Sequence, residues 1–204
     1  MMVVQAPPQS KPLWLQLPQE LALHVTPEQF TMLAVANREL RLERTATGEL
    51  IVNPPTGGNT GHRNLSITGQ LSVWFEANDT LGRAFDSSTG FEFPNGANRS
   101  PDAAWVRCDR WDALTPEQQD GFIPLCPDFV VELRSKTDTL KELRAKMQEY
   151  MENGAQLGWL IDPKNKRVEI YRPGQAVEVL ENPMALSGEE VLPGFTLTLK
   201  RVWA

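Results

Sequence analysis

Residues 127–135 read Pro127-Asp128-Phe129-Val130-Val131-Glu132-Leu133-Arg134-Ser135, and this stretch decides the fold. Its apolar residues occupy both odd and even positions, a pattern typical of a strand covered on both faces, as in a parallel or mixed sheet. Glu132 lies inside this strand. A buried carboxylate is costly unless it is paired, protonated or bound to a metal. Glu132 is therefore either half of a structural ion pair with an Arg or Lys or part of a functional site.

The composition of the chain indicates one folded domain with a sizeable core, since 41% of its 204 residues are hydrophobic and 23% are charged. A net charge of −6 argues against a strongly basic, nonspecific nucleic-acid coat but leaves room for a local basic groove. No apolar run approaches the roughly 18 residues of a membrane span, and no secretory signal is visible. Cys108 and Cys126 form neither a disulfide framework nor a CxxC zinc pair. We expect a cytoplasmic protein without a membrane partner.

The order of predicted elements indicates a mixed α/β (α+β) domain. Residues 1–19 are rich in proline and lack periodicity, so we predict a poorly ordered arm before a domain over residues 20–204. Helices are predicted over residues 27–37, 60–78, 116–120 and 139–153. Strands are predicted over residues 39–44, 49–53, 81–86, 90–93, 102–106, 127–133, 157–161, 167–171, 177–180 and 196–199, with a turn at 95–100. The order helix–strand–strand–strand–helix–strand predicts a mixed β-sheet flanked by helices.

Two carboxylates stand at corresponding places in this predicted sheet. Asp102 opens one strand after Ser100-Pro101, and Glu132 lies near the end of a later strand. If these strands are neighbours, their carboxylates converge at one edge of the sheet. Such oxygens, together with nearby backbone carbonyls, suit Mg²⁺ or Mn²⁺. The alternative for Asp102 is an ordinary Pro-Asp turn.

A lysine on the helix predicted over residues 139–153 is the third candidate. At about 100° per residue, the apolar residues of this helix form one stripe that includes Tyr150, and Lys146 falls beside it one turn earlier. Its stem can follow the apolar surface and place the ammonium at the sheet edge. A positive charge there would favour hydroxide and stabilise a phosphorane-like transition state. The alternative is a solvated flanking lysine.

Several short motifs, taken in order and spacing, resemble the Uma-two family, a bacterial group described as restriction-endonuclease-like proteins with the PD-(D/E)xK nuclease fold. The similarity covers about residues 26–200. It implies a restriction-endonuclease-like α-β-β-β-α-β core with an added N-terminal helix and hairpin and added C-terminal strands. The motifs lie at residues 100–102, 127–135, 138–150 and 154–163, with further similarity at Glu49, His62, residues 85–90 and residues 192–195.

The resemblance implies that Asp102 and Glu132 bind Mg²⁺ or Mn²⁺, and the Leu133 carbonyl is the third candidate ligand. The wider nuclease pattern has a lysine two residues after the Glu, where this chain has Arg134. Arginine holds its proton too firmly to act as a base, although it can stabilise charge. Within the family, the residue matching Lys146 takes the lysine role.

Glu49, His62, Arg134 and Tyr150 are candidate auxiliary residues at the same edge. Glu49 follows a glycine in a hairpin and has the alternative of an exposed turn acid. His62 begins a long helix and could contact phosphate or help to position the metal, with a polar loop histidine as the alternative. Positive charge near the proposed edge would come from Arg63, Arg83, Arg99, Arg107, Arg110, Lys136, Lys141 and Arg144.

The leading hypothesis is a Mg²⁺-dependent DNA endonuclease that hydrolyses phosphodiester bonds. The alternative is a noncatalytic nucleic-acid-binding or assembly module that retains the fold, which the acidic pI and Arg134 favour. A nuclease acting on RNA or on the DNA ends of a mobile element is a third candidate. Because restriction-type nucleases often pair to cut two strands, we expect a homodimer, with Trp14 and Val202-Trp203 as candidate contacts.

Overall fold

The computed structural model describes residues 22–204, so the predicted arm at residues 1–19 and its Trp14 lie outside the described residues. No helix within residues 22–204 has both the length and the apolar character needed to cross a bilayer. The helices are α1 (Pro27–Ala36), α2 (Gly58–Glu76), α3 (Cys108–Trp111), α4 (Pro116–Asp120) and α5 (Leu140–Glu152). The strands are β1 (Arg41–Arg44), β2 (Leu50–Asn53), β3 (Gly82–Asp86), β4 (Phe91–Glu92), β5 (Asn98–Arg99), β6 (Ala103–Arg107), β7 (Phe129–Leu133), β8 (Leu157–Asp162), β9 (Arg167–Tyr171), β10 (Glu178–Glu181), β11 (Ala185–Ser187) and β12 (Thr196–Thr198).

A six-stranded sheet lies at the centre of this fold, in the order β10-β9-β8-β7-β6-β3. Strands β7 and β8 are parallel, and the other neighbouring pairs are antiparallel. All five residues of β7 are buried, as expected for a continuous apolar run covered on both faces. The succession α2-β3-β6-β7-α5-β8 confirms the predicted core order and the mixed α+β fold.

Two hydrophobic clusters cover the two faces of this sheet. Val131 of β7 belongs to the cluster that includes Leu71 of α2. Val130 belongs to the cluster that includes Met147 of α5. Because side chains alternate between the faces of a strand, Glu132 lies on the same face as Val130, under α5.

A second sheet, in the order β2-β1-β5-β4, carries the N-terminal hairpin. The predicted β1–β2 hairpin is confirmed by an antiparallel register from Arg41↔Asn53 to Arg44↔Leu50. The prediction of a turn over residues 95–100 is confirmed at residues 95–96, but it was wrong at residues 98–99, which form β5 and pair with both β1 and β4. A strand of two residues is too short to leave a periodic signal in the sequence.

Local sequence signals fix the ends of α5. The Thr139 hydroxyl accepts a hydrogen bond from the Glu142 amide at 3.2 Å, which caps the first turn. The helix stops before Asn153, and Gly154 adopts a φ of +111°, the left-handed conformation that glycine tolerates best. These caps hold the phase of α5, and therefore the direction in which Lys146 points.

The C-terminal residues fold back against the domain. Val202 is completely buried, and the Trp203 indole donates a hydrogen bond to the Pro183 carbonyl at 2.8 Å. The prediction that Val202-Trp203 forms a dimer contact was therefore wrong for Val202, whose side chain completes the core beneath α2.

Candidate functional site

A cleft of about 1430 Å³ opens beside β7, between the second sheet, the start of α2 and the face of α5. The loop at residues 54–57, the first turn of α2 and the segment from β7 to α5 form part of its wall. The structure brings most of the residues predicted from the sequence to this one place. The cleft is lined by Glu49, Asp102, Glu132, Leu133, Arg134 and Lys146.

Asp102 is held at the junction of β6 and β7. Its amide donates to the Val131 carbonyl at 3.0 Å, and its Oδ2 accepts from the Leu133 amide at 2.8 Å. Its Oδ1 accepts from the Asn64 side-chain amide at 3.1 Å. The side chain is buried, so Asp102 is not an ordinary exposed turn residue. Pairing between the two strands places it next to the segment that carries Glu132.

Glu132 is a buried carboxylate with two donors on α5. Its Oε1 accepts from the Tyr150 hydroxyl at 2.6 Å and lies 2.8 Å from Nζ of Lys146. Burial raises the pKa of Glu132 to about 7; Lys146 opposes this rise, and the charges of Asp102 and Glu43 add to it. The rise is therefore mainly the cost of burying the carboxylate, and Lys146 offsets only part of it.

Lys146 bridges two carboxylates. Its Nζ lies 2.8 Å from Oε1 of Glu132 and 3.0 Å from Oε1 of Glu43. Burial lowers the pKa of Lys146, but the two carboxylates outweigh burial and raise it above its ordinary value. Lys146 is thus a fixed ammonium inside the cleft, and the solvated alternative does not apply.

Glu43 is a member of the site that the sequence did not reveal. It lies on β1 and is only 3% exposed. Besides Lys146, its carboxylate accepts from the Ser100 amide at 3.3 Å and from Nη1 of Arg99 at 3.3 Å. Burial acts to raise the pKa of Glu43, yet Lys146 and Arg99 together lower it. No local signal could have found this residue, because Lys146 lies far away in the sequence.

Arg134 is engaged outside the carboxylate cluster. Its Nη1 donates to Oδ2 of Asp162 at 2.7 Å, and its Nε donates to the Asp138 carbonyl at 3.3 Å. Burial acts to raise the pKa of Asp162, but hydrogen bonds from Asn165 and Arg134 overcome it and lower the pKa. Arg134 therefore ties the end of β7 to the end of β8 at the wall of the cleft.

The remaining auxiliary residues differ in their position relative to the cleft. Tyr150 is completely buried behind Glu132, where its hydroxyl orients the carboxylate. Glu49, at the start of the β2 segment, is half-buried in the wall of the cleft. His62 is exposed and is not among the lining residues, whereas Arg63 and Asn64 are. Helical phase could have shown this, because residue 62 lies nearly opposite the buried Leu71.

The basic residues predicted near the site fall into two groups. Arg63, Arg99 and Lys136 line the cleft, where Arg41 and Lys164 join them. Nε of Arg41 and Nε of Arg63 are buried without a hydrogen-bond partner among the described residues. The others predicted do not line the cleft, and three of them form ion pairs: Arg107 with Asp109, Arg110 with Asp128 and Arg144 with Glu169.

The oxygen donors in the cleft fit a hard divalent cation. Within residues 22–204, no three His, Cys, Asp or Glu side chains form a metal cluster. Mg²⁺, however, commonly uses one or two carboxylates and keeps several waters. Asp102 and Glu132 supply two carboxylates, and the Oδ1 of Asn64 is a buried oxygen without a hydrogen-bond partner. A cation bound beside Glu132 would offset the cost of burying its ionised carboxylate.

Comparisons with known proteins identify the family and the fold. The model of the Uma2 family, described as "Putative restriction endonuclease", matches residues 27–200. The solved structure titled as a "putative nuclease belonging to DUF820" from Anabaena variabilis ATCC 29413 has a TM-score of 0.71 and 22% identity, covering 88% of this chain and 97% of that one. This likeness shows the fold. A cryo-EM structure of a DrdV–DNA complex has a TM-score of 0.35 and 15% identity, covering 60% of this chain and 10% of that one. No curated protein matches.

Proposed function

This chain belongs to the Uma2 family, described as "Putative restriction endonuclease", and on that premise we propose that it is a metal-dependent DNA endonuclease that hydrolyses phosphodiester bonds. One observation carries the proposal. Two buried carboxylates from neighbouring strands, Asp102 and Glu132, share a cleft with a fixed ammonium, that of Lys146. An ordinary structural ion pair needs neither the second acid nor the open cleft.

Asp102 and Glu132 are the residues that would hold Mg²⁺ or Mn²⁺, together with the Leu133 carbonyl. When bound, the cation supplies Lewis-acid activation of water at neutral pH. The protein contributes the orientation of the ligands. The Leu133 amide and Asn64 fix the Asp102 carboxylate, and the Tyr150 hydroxyl fixes that of Glu132. Such outer partners commonly set metal affinity and activity by 10- to 100-fold.

Lys146 places a positive charge where negative charge grows on the attacked phosphate. Its pKa lies above the ordinary lysine value despite burial, because Glu132 and Glu43 surround it. It therefore keeps its proton and acts as an electrostatic stabiliser rather than as a general base. Glu43 also contacts the ammonium, with its Oε1 3.0 Å from Nζ.

The basic residues of the cleft wall would bind the nucleic-acid backbone. Arg41, Arg63, Lys136 and Lys164 line the cleft, and the Nε atoms of both arginines lack a partner among the described residues. Phosphate contacts from such residues position a duplex and make binding salt-dependent. Contacts to the phosphate backbone do not read the base sequence. Because RNA has the same phosphates, cleavage of an RNA substrate is measured beside cleavage of DNA under the same conditions.

A second function, a noncatalytic nucleic-acid-binding module, is favoured by one observation. Arg134 occupies the position of the usual nuclease lysine and is engaged with Asp162. A module of this kind would bind DNA with the same affinity with or without divalent cations and would not cut it.

Cleavage of supercoiled plasmid in the presence of Mg²⁺ or Mn²⁺ tests the proposal. Glu132→Ala is expected to abolish cleavage, and Lys146→Ala to slow it about 100-fold. Glu190→Ala and Lys200→Ala are matched controls, because both residues are exposed and neither lines the cleft. These controls should cut at the wild-type rate. Equal cleavage by the wild type and both cleft variants would end the assignment and reveal a contaminating nuclease.

A further inference from the structure

Helix α2 has one face that nothing in the described residues covers. Its inner face is fixed by Ile67 and Leu71, each 2% exposed, and by hydrogen bonds of Gln70 with Thr198. The side chains opposite are all exposed, and Leu65 and Val73 are 70% and 71% exposed. We call this surface the outer face of α2; it consists of His62, Leu65, Gly69, Ser72, Val73 and Glu76.

Gly69 is the unexplained residue at the middle of the outer face. It lies inside a 19-residue helix, where glycine is less stable than alanine by about 1 kcal/mol. A Cβ built there meets no atom within 4 Å, so packing in the monomer does not require glycine. The conformation does not require it either, because Gly69 is not among the residues with positive φ. A small residue such as glycine does, however, let the backbones of two helices approach closely.

The spacing of the outer face is that of a helix–helix seam. Positions 62, 65, 69, 72 and 76 alternate steps of three and four, as in the contact line between two packed helices. We propose that the outer face of α2 binds the same face of a second copy of this chain. The two α2 helices run antiparallel, and the twofold axis passes beside Gly69. This inference is independent of the proposed cleavage reaction.

The face is complementary to itself in the antiparallel arrangement. A twofold axis at Gly69 sets Leu65 against Val73 of the partner subunit, and the same contact recurs on the other side of the axis. It also sets Glu76 against His62 of the partner subunit. A parallel pair would place Glu76 against Glu76 of the partner subunit, which like charges disfavour. Arg63 is the other charged residue of α2. Its guanidinium donates a hydrogen bond to the Ala204 carbonyl, away from this seam.

Light scattering coupled to size-exclusion chromatography on the full chain tests the interface. The wild type should elute with the mass of a dimer. Gly69→Gln and Leu65→Gln should each shift it to the mass of a monomer. Gly69→Gln should melt no lower than the monomeric Leu65→Gln variant, since a Cβ at residue 69 meets no atom within 4 Å. Met32→Gln is the matched control, because Met32 is 71% exposed on α1 and should leave the dimer intact.

Oxidative cross-linking in a Cys108→Ser background shows whether the two α2 helices run antiparallel or parallel. In the antiparallel arrangement residue 69 meets its own copy, so Gly69→Cys should form a disulfide-linked dimer and Leu65→Cys should not. Cross-linking through Leu65→Cys would indicate a parallel pair and overturn the proposal. A wild type with the mass of a monomer would also overturn it, even if a different molecule covers the outer face of α2. So would a dimer that survives both Gly69→Gln and Leu65→Gln.

Discussion

Removal of one hydroxyl, in Tyr150→Phe, separates the role of the Glu132 carboxylate from the general stability of the fold. Tyr150 is completely buried, and its hydroxyl donates to Oε1 of Glu132 at 2.6 Å. Phenylalanine keeps the ring and its packing, so the change deletes one charge-assisted hydrogen bond. Such a bond contributes about 2 kcal/mol to the free energy of unfolding. For a chain of this size the melting temperature should fall by about 4–8 °C.

The same variant should slow plasmid cleavage about 10-fold. Glu132 keeps its contact with Lys146 at 2.8 Å, so the site loosens without losing its charge. Tyr171→Phe is the matched control. The Tyr171 hydroxyl donates to Oε2 of Glu169 at 2.9 Å, outside the cleft. This control should lose comparable stability and cut at the wild-type rate below its melting transition.

Two results would refute the reasoning. An unchanged melting temperature in Tyr150→Phe would show that the hydroxyl does not bond to Glu132. An equal fall of cleavage in Tyr150→Phe and Tyr171→Phe would show that activity follows overall stability rather than the orientation of Glu132.

Three further predictions concern the buried charges and thiols. Glu43→Ala should lower the free energy of unfolding by about 3–5 kcal/mol, because it leaves two buried cations short of a partner; a loss below about 1 kcal/mol in urea unfolding would contradict this. Burial acts to raise the pKa of Glu169, but its hydrogen bonds with Arg144 and Tyr171 lower it from 4.5. This ion pair should therefore stabilise the fold above pH 4.5 and lose that contribution as the pH falls through the lowered pKa. Urea unfolding should show this acid loss in the wild type and a weaker one in Glu169→Gln, and equal slopes would contradict it. Burial raises the pKa of Cys126 to about 12, so a thiol reagent should modify it only after unfolding, and rapid labelling in the folded protein would count against this environment.

The sequence predicted those parts of the fold that have local signals. The apolar run of β7 predicted a strand covered on both faces, and the helices predicted over residues 27–37 and 139–153 correspond to α1 and α5. Strands β5 and β11 were not predicted, and they have only two and three residues. Their existence depends on pairing partners rather than on any periodic pattern.

The candidate site could likewise be predicted from the sequence only in part. Asp102 and Glu132 were expected to meet if their strands were neighbours, and the register Ala103↔Val131 shows that they are. Glu43 could not be predicted, because its burial depends on contact between β1 and α5. His62 was misplaced because proximity to a helix start outweighed helical phase, which turns Arg63 and Asn64, not His62, toward the cleft.

Calorimetric titration with Mn²⁺ tests most directly the claim that Asp102 and Glu132 form one cation site. The wild type should bind Mn²⁺ in the cleft, and Asp102→Asn and Glu132→Gln should each abolish this binding, while Glu190→Gln should leave it unchanged. A wild type that binds no Mn²⁺, or one whose binding survives both cleft substitutions, would contradict the claim.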